Sequence, residues 1–345
     1  MIAGNLLGGS AGDRFGMRRT AIVALTVSAL CCLSLPWLPS AVLAVVSGIG
    51  GFAGGATRPV LSGVVAGQLP PERRREGVAL SRTAMNAGAI LGPPVGALLS
   101  SHAFGLVFVV DGATTLLLVA VIVRFVPVGE QVSRVVVGSL PQALVRDRAL
   151  RRLVVGIVCV DTVYRLMYTV LPLQLRDSGV PTLGYAVLLS LNSVVIVLAE
   201  APLALRFRDR PAVGVIATGF VLVGAGFAVL GTLALGLPLP LVAATVMMLV
   251  VTVGEMLYKP TATAYAADLA PDGMVGRYQS AYSAASISGT LLSPVIGGAV
   301  YAVAPVAVWP LACLLALVGA WHLLGHAPWR RGSERAFPVT RSGQA

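Results

Sequence analysis

Apolar residues in this chain fall in long runs, and the polar residues gather in the short joins between them. A helix needs about 20 largely apolar residues to cross a bilayer. Ten runs of that length are present, over residues 20–38, 41–65, 77–99, 105–126, 153–173, 183–204, 212–234, 239–264, 275–301 and 305–325. Most joins are rich in Pro or Gly, as in Leu35-Pro36-Trp37-Leu38-Pro39 and Leu237-Pro238-Leu239-Pro240. The pattern predicts an all-α polytopic membrane protein with ten complete spans.

Composition supports lipid as the solvent. Of 345 residues, 57% are hydrophobic and 11% charged, with mean hydropathy +0.87. A soluble domain is about 45–50% apolar and about 25% charged. The net charge of +11 would suggest nucleic acid in a soluble protein. Here no basic domain exists outside the runs, which excludes that reading. The charges instead alternate by side. Every second join is basic, and these joins with the tail hold 19 of the 25 basic residues, from Arg14, Arg18 and Arg19 to Arg330, Arg331, Arg335 and Arg341. The other joins hold Arg176 alone. Cytoplasmic loops carry the Lys/Arg excess, so the first join, residues 127–152 and the C-terminus are expected in the cytoplasm. Arginine outnumbers lysine 24 to 1, as in a GC-rich bacterial gene, which points to a bacterial inner membrane.

Cysteines 31, 32, 159 and 313 lie inside apolar runs and read as buried small hydrophobes. They offer neither a disulfide framework nor a metal site. His102, His322 and His326 do not cluster, and no phosphate-binding Gly-Lys-Ser/Thr loop occurs. The expectation is no enzyme, no cofactor, no metal and no ATP hydrolysis.

Two stretches repeat. Arg58-Pro59, Leu69-Pro70-Pro71 and Gly88-Ala89-Ile90-Leu91-Gly92-Pro93-Pro94-Val95-Gly96 match Lys259-Pro260, Leu269-Ala270-Pro271 and Gly289-Thr290-Leu291-Leu292-Ser293-Pro294-Val295-Ile296-Gly297. Most pairs are offset by 201 residues, as 259 − 58 = 201. Both copies lie on a span pair flanking a cytoplasmic join, so the repeat is parallel. Parallel halves related by an axis along the membrane normal are a transporter pattern. The second half begins near Arg152 and holds six spans. Subtracting the offset places the start of the first half about 50 residues before Met1. The apolar stretch from Met1 to Gly12 then reads as the last turns of a span whose beginning is absent, through a mis-assigned start or a fragment.

The first join, Gly9-Ser10-Ala11-Gly12-Asp13-Arg14-Phe15-Gly16-Met17-Arg18-Arg19, resembles the signature between spans two and three of the major facilitator superfamily. Gly9, Asp13, Arg14, Gly16, Arg18 and Arg19 match, while Ala11 and Met17 depart from it. The resemblance implies the major facilitator fold, with two pseudo-symmetric six-helix halves, the first span and most of the second being absent here. It implies an N-terminal half over 1–126, a central cytoplasmic loop over 127–152, a C-terminal half over 153–326 and a basic tail over 327–345. The signature's role in the family is a cytoplasmic latch, and its Asp suits a helix N-terminus, where the dipole favours negative charge. A positive anchor is the plainer alternative.

Gly88-x-x-x-Gly92-Pro93-Pro94-Val95-Gly96 resembles a motif of the family's exporter branches. Its small residues permit close helix packing, and the two prolines should bend the helix. Pro294 with Gly289 and Gly297 forms the repeat copy. Ionisable groups inside spans are functional candidates. Asp161 lies about 15 Å into its span, with Arg165 one turn on and Tyr164 and Tyr168 nearby. Either Asp161 carries a proton or cation with Arg165 tuning it, or the two form a self-satisfied i,i+4 pair. Glu255 and Lys259 form a second such pair, expected at a cytoplasmic gate because Lys259 repeats Arg58. Arg58 has Asp13 and Glu72 as candidate partners. Asn86 and Asn192 read as substrate contacts or as bonds to a neighbouring helix, and structural roles suffice for Asp111 and Glu200. Many proton-coupled drug exporters carry an Arg in mid-span four, and Val46-Ser47-Gly48-Ile49-Gly50-Gly51 has none.

The resemblance implies a monomeric secondary transporter working by alternating access. It further implies export of a small, amphipathic solute in the manner of the drug:proton antiporters, with protons as the candidate coupling ion. Uptake of a nutrient or siderophore-like solute, and a truncated or inactive member that does not transport, are the alternatives.

Overall fold

The computed structural model describes residues 2–127, 144–231, 240–271 and 273–325. These form twelve main helices: α1 (Ile2–Phe15), α2 (Met17–Ser34), α3 (Ser40–Gln68), α4 (Arg74–His102), α5 (Phe104–Phe125), α6 (Arg148–Thr169), α7 (Leu171–Asp177), α8 (Thr182–Arg206), α9 (Ala212–Gly231), α10 (Pro240–Leu269), α11 (Val275–Val303) and α12 (Val308–Leu324). Nine segments among the described residues are long and apolar enough to cross a membrane, with α6 and α7 forming one of them. The tenth expected span, 77–99, is helical as α4 but falls outside that group. Arg82, Asn86 and a high content of Gly and Pro dilute its hydropathy.

The first join is not a loop. Gly9, Asp13 and Arg14 lie on α1, and the chain turns at Gly16 alone, where φ is 90°. That left-handed region excludes most side chains, so glycine is required there. The central loop also ends earlier than expected, because α6 begins at Arg148. Asp147 caps it, its Oδ1 accepting from the N–H groups of Ala149 (2.8 Å) and Leu150 (3.1 Å). Arg134, His326 and the tail over 327–345 lie outside the described residues.

The two halves differ in their cores. In the second half α6 is the central element. Its Leu153, Ile157, Val160 and Met167 are fully buried among α9, α10 and α12, against Phe220, Phe227, Met247 and Trp309. Gly289 and Gly297 of α11 seat α6 closely. A Cβ on Gly289 would lie 2.7 Å from the Asp161 backbone, and one on Gly297 would meet Leu166 and Val170. In the first half the core is a small cluster of Ala21, Leu25, Val60 and Ile122. The matching positions on α4, Gly88, Gly92 and Gly96, have nothing within 4 Å of a Cβ. The close packing expected of the exporter-like motif is therefore absent at these positions. The sequence repeat persists where the packing repeat does not, because no described helix takes on α4 the place that α6 takes on α11.

Candidate functional site

Five ionisable side chains meet near the middle of the helices. Arg82 extends from α4 of the first half toward two carboxylates of the second. Its Nε contacts Glu200 Oε1 of α8 at 2.5 Å, and its Nη2 contacts Glu255 Oε1 of α10 at 3.1 Å. Lys259, one turn along α10, donates to the same Glu255 oxygen at 2.8 Å. Asn192 of α8 donates to the other Glu255 oxygen at 3.2 Å and to Thr252 at 2.9 Å. Two cations thus balance two carboxylates, and none of the four side chains is more than 19% exposed. Buried charge is tolerated only when paired and hydrogen-bonded, and this quartet meets that condition except at Glu200 Oε2, which is buried without a partner.

The fifth group, Asp161, belongs to no ion pair among the described residues. It is 1% exposed. Its Oδ1 accepts from the Tyr258 hydroxyl at 2.5 Å, and its Oδ2 is buried with no hydrogen-bond partner. Of the two readings of Asp161, the i,i+4 pair with Arg165 does not form. Arg165 lies over the Tyr168 ring at 5.8 Å, because α6 turns Asp161 toward α10 and α11 instead. The Tyr164 ring, whose hydroxyl lies 3.4 Å from that of Tyr168, carries Lys259 Nζ on its face at 3.4 Å from the centroid. That is a cation–π contact, worth more when desolvated.

At the Arg-rich end the halves lock together. Asp13 sits over the N-terminus of α11, where the first helical N–H groups have no partner of their own. Its Oδ1 accepts from Gly276 N at 2.6 Å, and its Oδ2 from Arg277 N at 2.9 Å. Burial pushes the Asp13 carboxyl up to about 6, against the pull of these two donors and the Arg277 charge. The backbones approach closely at Gly9, where a Cβ would strike the Gly276 carbonyl and Ser280. Arg74 pairs with Asp268 at 2.5 Å, and Arg75 donates to the carbonyls of Phe207, Arg208 and Arg210. Every described hydrogen bond and ion pair between the halves lies between this end and the level of Arg82. None joins the halves beyond it among the described residues.

The family model described as Major Facilitator Superfamily matches residues 1–294. The chain belongs to the Major Facilitator Superfamily. It is a membrane transporter and not an enzyme. A Bacillus subtilis (strain 168) protein named an uncharacterized MFS-type transporter, YttB, is 27% identical over 308 residues, covering 86% of this chain and 75% of that protein. A Na(+), Li(+), K(+)/H(+) antiporter of Planococcus maritimus is 30% identical over 131 residues, or 36% of this chain and 30% of the antiporter. Among solved structures, the human organic anion transporter MFSD10 (TETRAN) superimposes with a TM-score of 0.74 at 18% identity, covering 93% of this chain and 80% of that one.

In this facilitator several expected positions differ from their sequence reading. Glu255 falls at the midpoint of α10, with Lys259 one turn on, and both belong to the central quartet. Arg58 is exposed and pairs with neither Asp13 nor Glu72 among the described residues, because Asp13 is engaged by α11. Asn86 donates to the Arg82 carbonyl at 2.9 Å within its own helix. Of the remaining first-join cations, Arg18 donates to the Val123 carbonyl at 2.8 Å, while Arg14 and Arg19 are exposed. α4 continues through Pro93 and Pro94 without a break, as α11 does through Pro294. Arg82, Glu200 and Tyr258 are the site residues that sequence reasoning passed over. An arginine nine residues into an apolar helix was the available signal for Arg82.

Proposed function

We propose that this facilitator is a proton-coupled exporter of a small solute, held in its outward-facing state. The observation that carries this is the buried quartet Arg82–Glu200–Glu255–Lys259, which bridges the halves directly beside an unpaired Asp161. Rocking of two bundles about a central site must break and remake contacts across that boundary. Arg82 is the bridging contact, and its release from Glu200 and Glu255 would accompany opening of the Arg-rich end. Asp161 is proposed as the carrier of the coupling proton, since its unpartnered Oδ2 gains a partner when a proton or cation binds there. Tyr164, Tyr168 and Asn86 are proposed to face the solute, with Arg165 at the same level. Gly9, Asp13, Gly16 and the arginines Arg14, Arg18 and Arg19 form the latch of the closed cytoplasmic end.

α4 is taken as a further span, and its open Gly88, Gly92 and Gly96 face as the seat of an additional apolar helix, packed as α6 packs on α11. Placement in a bacterial inner membrane with the Arg-rich end cytoplasmic follows the charge alternation. The Planococcus maritimus relative, named as a cation/proton antiporter, supports proton exchange over the part that matches. Everted membrane vesicles test direction. Respiration-driven accumulation of solute in them, with release of the proton gradient on solute addition, is the expected result. Accumulation only in right-side-out vesicles would establish import.

A further inference from the structure

An apolar groove of about 380 Å³ lies between α1, α2 and α3, away from the charge cluster. Leu7 and Phe15 of α1, Val23 and Val27 of α2, and Phe52 of α3 line it, and all five are exposed. From Gly4 to Phe15 it runs about 16 Å along α1. Its mouth lies at the Arg-rich end, where Arg19 is part of the lining. Arg14 stands beside it, with its guanidinium over the Phe15 ring at 5.3 Å. Two neighbouring basic groups are engaged. Arg18 donates to Val123, and Arg277 faces Asp13. Arg14 and Arg19 are exposed with no ion-pair partner among the described residues.

We infer that this groove binds one anionic phospholipid, an acyl chain lying along Phe15, Val23 and Phe52 and the phosphate held by Arg14 and Arg19. The two ends of the site match the two ends of that molecule. The interior is almost wholly apolar and offers dispersion contacts, with the Thr20 hydroxyl as the polar group on its wall toward the arginine end. The mouth offers two uncompensated guanidiniums at the level where headgroups lie, and such guanidiniums pair with phosphate oxygens through parallel N–H donors. Basic pockets between helices at the cytoplasmic face are where acidic lipids collect. A detergent-like neutral solute would use the interior and ignore the arginines. A free phosphate would use the arginines and leave the groove empty.

The groove also touches the latch. Its wall α1 carries Asp13, and α1 meets α3 backbone to backbone where a Cβ on Gly8 would lie 2.7 Å from Ala56. A chain in the groove braces α1 against α2 and α3 in the arrangement that lets Asp13 reach α11. Lipid binding and transport are nonetheless separate measurements, so failure of the transport reading leaves this inference standing or falling by itself.

The test uses the full chain in phosphatidylcholine bilayers containing a minor share of phosphatidylglycerol. Either lipid carries a spin label near its chain end, and electron paramagnetic resonance reads the motionally restricted fraction. Phosphatidylglycerol should be preferred, and Arg14→Gln and Arg19→Gln should each cut the preference about fivefold. Arg73→Gln, an exposed arginine at the same end but outside the groove, should leave it unchanged. Val23→Trp fills the groove from an exposed position and should lower the restricted fraction of both lipids, with an unaltered melting temperature showing that the fold is intact. Retained preference in Arg19→Gln, loss of it in Arg73→Gln, or an undiminished restricted fraction in Val23→Trp would overturn the inference. Val23→Trp acting while the arginine variants do not would identify a neutral apolar occupant instead.

Discussion

Tyr258 on α10 gives its hydroxyl hydrogen to Asp161 Oδ1 on α6 at 2.5 Å and leaves Oδ2 buried without a partner. This half-satisfied carboxyl can take a proton or cation on Oδ2 without displacing its contact to Tyr258, and unlike Glu200, whose Oε2 is also unpartnered, it belongs to no ion pair among the described residues. Asp161→Asn in a transport-competent assembly should abolish gradient-driven flux while leaving solute counterflow intact. Counterflow needs only solute exchange, whereas driven flux needs the coupling group. Unchanged driven flux in vesicles would remove Asp161 from the mechanism.

Arg82 supports a prediction about stability. Among the described residues it alone contacts both Glu200 and Glu255 across the halves. Arg82→Gln strands the buried Glu200 carboxylate, while Glu255 keeps Lys259 and Asn192, a loss of about 3–5 kcal/mol when a buried pair is broken. Arg82→Lys should recover part of this and not all, because one ammonium lacks the planar fork that serves two carboxylates. Adding Glu200→Gln to Arg82→Gln should restore some stability by removing one stranded charge. Thermal unfolding in mild detergent orders the variants, and equal melting temperatures for Arg82→Gln and the parent would refute the bridging role.

The helical spans and the paired halves were legible in the sequence because they rest on local signals. Run length, basic joins and the 201-residue repeat all survive in one dimension. The charge cluster was legible only in part. Glu255 and Lys259 are one turn apart and were visible as a pair, but Arg82 meets Glu200 across 118 positions and Glu255 across 173. No spacing rule reaches that far. The i,i+4 rule misled at Asp161, since neighbours on one helix pair only when neither is claimed by another helix. Tyr258, 97 residues away, claims Asp161. The Gly9–Arg19 signature was recognisable as a motif of the family, whereas its helical form through Phe15 was hidden by its glycines and charges.

The broken packing symmetry between α4 and α11 gives a paired test. At Gly289 an added methyl meets the Asp161 and Thr162 backbone at 2.7 Å, so Gly289→Ala should overpack and cost about 1–3 kcal/mol. At the repeat-related Gly88 nothing lies within 4 Å, so Gly88→Ala in this chain should fall within about 0.5 kcal/mol of the parent. Melting temperatures of the two variants decide it. A large loss at Gly88 would show that its face is already covered, and by a helix seated as α6 is.

The latch at Asp13 should respond to pH, with a sign fixed by burial. Closed against α11, the Asp13 carboxyl titrates at about 6 in place of its ordinary 3.8. When the latch opens and the carboxyl returns to water, that upward push disappears. A proton therefore binds the closed state more tightly than the open one, and the closed fraction gains as pH falls through 6 toward 4. Within that window the closed-to-open ratio should rise by at most about tenfold per pH unit, and below it the ratio should level off. Asp13→Asn keeps an acceptor for one α11 N–H and has nothing to titrate, so it should remain closed and lose the dependence between pH 4 and 6. Asp13→Ala leaves both Gly276 and Arg277 N–H groups unmet at the α11 terminus and should open at every pH. Spin-label distances between positions 72 and 209, on joins of opposite halves at this end, report the closure directly. A closed fraction that falls on acidification would mean that the ionised carboxylate, through the α11 dipole, and not its burial, controls the latch.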